Sequence, residues 1–125
     1  MRRLQFSLEQ KAKIPQKKLL KMSFADVLDD DRHFVITVDA DVFFDDPYFP
    51  IREFAIYALK WIKKADQNFI YETKDDYQNP LLAFSQQENG WKVQSVWQKF
   101  ECETEFSFTE VKSFIESIIN QVIKP

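Results

Sequence analysis

The pair Asn89-Gly90 is the strongest short-range instruction in this chain. Asn-Gly is the favoured filling of a two-residue β-hairpin turn, because both central positions take positive φ. Such a turn fixes register. It sets Trp91 opposite Glu88, Val93 opposite Gln86, Ser95 opposite Phe84 and Trp97 opposite Leu82. Those pairs share one side and carry most of the large apolar groups. The other side pairs Lys92 with Gln87, Gln94 with Ser85, Val96 with Ala83 and Gln98 with Leu81, and is mainly polar. Turn chemistry and hydrophobic alternation agree on one register.

Further strands follow from period-two patterns. Across Arg2 to Leu8, the residues Leu4, Phe6 and Leu8 alternate with Arg3, Gln5 and Ser7. Phe34 to Phe44 reads as one strand, with Phe34, Ile36, Val38, Ala40 and Val42 on its apolar face, ended by Asp45-Asp46-Pro47. Asn68 to Glu72 is a strand closed by a loop from Lys74 to Pro80. After Trp97 the apolar residues change from odd to even numbers, at Phe100, Cys102 and Phe106, so a bulge or turn is expected near Gln98-Lys99.

Two amphipathic helices are expected. Pro50 opens one, with Ile51, Phe54, Ala55, Ala58, Leu59 and Ile62 at helical spacing and Trp61 at the stripe's edge. Ser107 and Glu110 form a capping box for the other. Its stripe is Val111, Phe114, Ile115, Ile118, Ile119 and Val122. Gln10 to Lys18 reads as a basic linker. Ser23 caps a short helix to about Asp30, or Leu19 to Phe24 forms a strand. The element order has no βαβ repeat, so the expected fold is α+β: an antiparallel sheet of about five or six strands with two amphipathic helices packed on one face.

The 125 residues suit a single domain, 1–125. Twenty aromatic rings (13 Phe, 4 Tyr, 3 Trp) exclude a disordered chain. Cys102 is the only cysteine, so no internal disulfide is possible. With no apolar leader and no membrane-length apolar run, a cytoplasmic location is expected and no membrane partner.

Charge is unevenly placed. Residues 1–22 hold seven cations against Glu9, net +6, and residues 26–53 hold nine carboxylates against Arg32 and Arg52, net −7. Asp29, Asp30, Asp31, Asp39, Asp41, Asp45 and Asp46 cluster around one strand and its ends. A negative patch of that kind steers a basic protein partner. The basic N-terminal stretch offers only Phe6 as a ring, so it lacks a base-stacking platform, and nucleic acid is not the expected partner.

The catalytic constellations are incomplete. Asp39-Ala40-Asp41 on a strand presents two carboxylates on one face, as in metal-dependent phosphotransferases. That pattern requires Thr or Val where Phe43 stands, and a longer chain with further ligands. An EF-hand loop requires a glycine where Phe44 stands. His33 is the only histidine and has no evident nucleophile, and Cys102 reads as a small core residue. One glycine leaves no phosphate-binding loop. The expectation is a non-enzymatic chain with no cofactor and no metal.

The order of Phe43-Phe44, the helix from Pro50 through Ile51-Arg52-Glu53-Phe54-Ala55 to Leu59-Lys60-Trp61, then Phe69-Ile70-Tyr71-Glu72, Asn79-Pro80-Leu81-Leu82-Ala83-Phe84 and Gly90 through Trp97 to Glu101 resembles that of small uncharacterised bacterial proteins. Across residues 34–122 it is similar to the immunity proteins that accompany polymorphic or contact-dependent toxins. That resemblance implies a binding protein that blocks a cognate toxin, often a basic nuclease, with an acidic face. It transfers no binding residue. The alternative expectation is a small-molecule or peptide binder whose aromatic pocket, between helix and sheet, is lined by Trp61 and Trp91.

Overall fold

The computed structural model describes residues 3–74 and 78–124. In chain order the elements are β1 (Leu4–Leu8), β2 (Ile14–Pro15), α1 (Gln16–Leu20), α2 (Phe24–Val27), β3 (Asp31–Val38) and β4 (Asp41–Pro50). There follow α3 (Ile51–Lys63), β5 (Phe69–Tyr71), β6 (Leu82–Gln87), β7 (Gly90–Gln94), α4 (Phe108–Val122) and β8 (Ile123–Lys124). The mixture of helices with antiparallel β-structure is as expected. The single sheet of five or six strands is not. The strands divide into β1-β3-β4, β5-β6-β7 and a short parallel pair, β2-β8.

The rings explain the division. Phe54 of α3 touches Phe34 and Phe49 from the first sheet and Phe69 and Tyr71 from the other three-stranded sheet. Phe114 of α4 likewise touches Phe6 on one side and Phe84 on the other. Each helix therefore bridges two inner faces rather than lying on one. Edge-to-face and offset ring pairs of this kind add to the stabilisation from area burial. Trp61 is buried too, in contact with Phe69, Trp91 and Phe108, not at the edge of its helix.

The helix signals are realised in detail. Ser107 accepts a hydrogen bond from the Glu110 N–H, and the Glu110 carboxylate accepts one from the Ser107 N–H. All six stripe residues of α4 are buried. Ser23 caps α2 through the Asp26 N–H, which selects the helix over the strand alternative. The basic linker holds more structure than expected: Ile14-Pro15 pairs with Ile123-Lys124. That partner lies more than a hundred residues away, beyond any local pattern.

Three strand expectations are corrected. First, Phe34 to Phe44 is a hairpin rather than one strand. Val38 pairs with Asp41, and Asp39 and Ala40 form the turn at φ 50° and 72°. Asp39 and Asp41 therefore do not share a strand face. Second, the Asn-Gly hairpin is two residues out of its expected register. Gln86 pairs with Trp91 and Phe84 with Val93, and Glu88-Asn89 sits at the tip. Third, the break expected near Gln98-Lys99 is a turn, in which the Gln98 N–H donates to the Ser95 carbonyl, but no strand continues beyond it: residues 95–105 are irregular, and Trp97 is exposed. The loop expected at Lys74 to Pro80 and the strand start at Arg2 fall partly outside the described residues.

Pro47 does not end β4. The register slips between Arg32 and Phe34, which face Phe49 and Asp46, so Pro47 and Tyr48 sit in a bulge. β4 is an edge strand, where a missing N–H leaves no ladder bond unmade. A second slip, between Ile36 and Thr37, leaves Phe43 unpaired, so the consecutive Phe43 and Phe44 are both fully buried.

A candidate protein-binding face on the acidic hairpin

Two chain segments converge beside β4. The Phe43 carbonyl freed by the bulge accepts the Lys99 N–H at 2.8 Å, and the Phe43 ring meets Phe100 edge-on. Ser95 organises the same loop. Its hydroxyl accepts the Trp97 N–H and its carbonyl accepts the Gln98 N–H, while the Val96 N–H donates to the Pro80 carbonyl. So anchored, the loop presents Trp97 outward, half exposed. Across from it the Asp46 carboxylate accepts the Tyr48 N–H at 2.9 Å, fixing the bulge that leaves Tyr48 74% exposed. Between them lies a crevice of about 460 Å³, lined by Asp45, Asp46, Tyr48, Thr73, Trp97 and Lys99 among others.

The seven aspartates are strung along this hairpin in different circumstances. Asp39 and Asp41 are exposed at its tip, where the Thr104 hydroxyl donates to Asp39 at 3.3 Å. Asp45 and Asp46 stand at mid-strand beside the crevice. Asp45 lies 2.6 Å from His33 Nε2 on the outer face of the sheet. Asp29 and Asp31 are exposed at the open end.

Asp30 belongs elsewhere. It is buried, and Arg32, itself 2% exposed, donates to both its oxygens, at 3.1 and 2.8 Å. Lys11 approaches at 3.4 Å. Arg52 Nε lies 3.2 Å away, off the line of a hydrogen bond, and so contributes charge rather than direction. Burial pushes the Asp30 carboxyl upward, but the Arg32 hydrogen bonds and the charges of Arg32, Arg52 and Lys11 outweigh it, and the group is held below the usual carboxylate range. Asp30 is thus an internal counter-ion and no part of a docking face.

The other groups singled out by type stay apart. Cys102 is buried with its thiol on the Thr104 carbonyl at 3.6 Å, and burial raises its pKa, the opposite of an activated thiolate. His33 is engaged with Asp45 and not with Cys102. Trp61 and Trp91 pack edge-to-face against one another, with the Trp61 indole N–H donating to the Gln67 carbonyl. Neither lines the crevice beside β4. Sequence reading missed Tyr48 and Trp97 as surface residues. The available signal for Tyr48 was Asp46-Pro47, an Asx-type turn that bends the chain outward. Trp97 had none, because the Asn-Gly register assigned it to the core.

No helix among the described residues is long and apolar enough to cross a membrane. No curated protein and no solved structure matches the chain. A family model described as "Domain of unknown function (DUF7878)" matches residues 4–124, and the chain belongs to that family.

Proposed function

We propose that this chain is a non-catalytic protein-binding domain that takes a basic partner on the acidic β3–β4 hairpin. The observation that carries this reading is the pair Tyr48 and Trp97, 74% and 50% exposed, lining one crevice with Asp45 and Asp46. Exposed Trp and Tyr are costly to leave in water and are the residue types that dominate binding energy at interfaces. A lysine or arginine of a partner would meet two aromatic faces and two carboxylates in that crevice, combining cation–π attraction with ion pairing. Asp39 and Asp41 at the tip, and Asp29 and Asp31 at the base, extend the negative field and speed encounter. Within this reading, the most specific role is an immunity-type inhibitor of a cognate bacterial toxin.

The test is capture from the native host at low salt with the full chain as bait, followed by identification and a protection assay. The expected result is a basic protein whose toxicity the chain suppresses. Asp45→Asn with Asp46→Asn, and separately Trp97→Ala, should each weaken capture at least tenfold without loss of fold. A captured protein indifferent to all three changes would overturn the proposal. A second reading, a small-molecule or peptide site, is favoured by the size of the crevice, which exceeds the roughly 300 Å³ that drug-sized ligands occupy. Its signature would be a ligand whose binding shifts the Trp97 fluorescence and is lost in Trp97→Ala.

A further inference from the structure

The first sheet has two edges, and they are treated differently. The β4 edge is shielded where Lys99 donates to Phe43. The β1 edge is not. Arg3 and Glu9 are hydrogen-bonded to Asp39 and His33 across the β1–β3 ladder. In an antiparallel ladder such bonds alternate, so the even residues Leu4, Phe6 and Leu8 turn their N–H and C=O away from β3. Among the described residues, Leu4 and Phe6 make no hydrogen bond on that outward side, and the Leu8 carbonyl accepts only Gln10 Nε2 at 3.4 Å. β1 carries no proline, bulge or charge within Leu4–Leu8, the usual means of blunting an edge.

Space lies beside that edge. A groove of about 480 Å³ separates β1 from the polar flank of α4, with Phe6 and Phe114 in its lining and Ser113 and Ser117 on its far wall. Phe6 points to the core side of the sheet yet is only partly buried.

We propose that two copies of this chain pair through β1, antiparallel and centred on Phe6, joining their β1-β3-β4 sheets into one. The residues themselves select this occupant and register. With Phe6 opposite Phe6, Leu4 falls opposite Leu8 and Gln5 opposite Ser7. Arg3 falls opposite Glu9 of the second copy at both ends. The outward groups of Leu4, Phe6 and Leu8 then meet their own counterparts in hydrogen-bonded positions. A two-fold axis demands such self-complementarity, and a slip by one residue loses it.

Sedimentation equilibrium of the full chain over a concentration series tests this. The expected result is a reversible dimer. Arg3→Glu and Glu9→Arg should each weaken it about tenfold, since opposed pairs become like charges, and the double swap should recover most of the loss. Recovery cannot come from the intramolecular Arg3–Glu110 pair, which Arg3→Glu leaves broken in the double variant too. Amide exchange covers the case of a misfolded variant: in the unaltered chain the Leu4 and Phe6 N–H groups should become protected as concentration rises. A chain that stays monomeric with concentration-independent exchange there would overturn the proposal. So would a monomer in which a peptide of unrelated sequence protects those amides and a peptide of residues 3–9 does not.

Discussion

The two hairpins of this molecule reverse the roles their sequences suggest. The β6–β7 hairpin carries the chain's one glycine in the favoured Asn-Gly pair, yet neither Glu88 nor Asn89 takes positive φ. The β3–β4 hairpin carries no turn signature, yet Asp39 and Ala40 make the tight turn with both φ positive. The cause is a contact outside either hairpin. Trp91 and Phe106 exchange two backbone hydrogen bonds of 2.8 Å, which draws a third segment against the start of β7. A Cβ at Gly90 would lie 2.8 Å from the Phe106 carbonyl oxygen. The glycine serves that close approach and its own φ of 156°, from a position beside the tip rather than in it, and the register lies two residues from the expected one. A shift of two preserves the inner face, so Trp91, Val93, Leu82 and Phe84 remain buried. At the other hairpin, β3 and its partners bury Phe34, Ile36, Phe43 and Phe44 completely, and that packing outweighs the strain of a left-handed alanine.

Substitutions at three positions sharpen the contrast. The largest effect belongs to the foot of the first hairpin, where Asp30→Ala would leave Arg32 buried without its carboxylate. A loss of about 3–5 kcal/mol is expected in chemical denaturation. Acid should reproduce part of it in the unaltered chain. Because the folded Asp30 carboxyl is held below its ordinary value, its contribution is complete above about pH 4 and is lost as pH falls through the lower folded value. Asp30→Asn should flatten that acid dependence, as followed by denaturation midpoints between neutral and strongly acidic pH.

Gly90→Ala comes next. If close approach to Phe106 is what the glycine supplies, an added methyl should cost about 1–3 kcal/mol. Amide exchange at Trp91 and Phe106 should quicken before that of the β6–β7 turn. A neutral substitution would mean that neither the close approach nor the positive φ constrains this position. The smallest effect should have the opposite sign. Ala40→Gly relieves a left-handed alanine at φ 72°, offset by glycine's greater freedom when unfolded, for a gain of about 0.5 kcal/mol in melting measurements. Glycine thus destabilises when lost from one hairpin and stabilises when introduced into the other.

Much of the candidate face was legible only in part. The aspartates were visible as a cluster because acidic residues concentrate in residues 26–53. That Asp30 would turn inward was not: its main partner Arg32 is two residues away, but Arg52 and Lys11 are brought to it by α3 and by the segment before β2. Tyr48 and Trp97, the aromatic half of the face, sit on residues whose alternation was read as broken or buried. Bulges shift parity, and a parity rule applied across one assigns the wrong side from there on.

By itself the sequence determined the parts governed by local physical chemistry. These are the presence of both long helices, the capping box and stripe of α4, the β1 alternation and the inner face of the Asn-Gly hairpin as far as Val93. Each rests on periodicity or on hydrogen bonds within a few residues. Tertiary structure alone decided how the strands divide among three sheets, where the tight positive-φ turn falls, which aspartate is buried, and which tryptophan faces water. Those outcomes depend on contacts between segments far apart in the chain, such as Phe43 with Lys99, Trp91 with Phe106 and Asp30 with Arg52. The free energy of such a contact enters only once the chain has closed on itself.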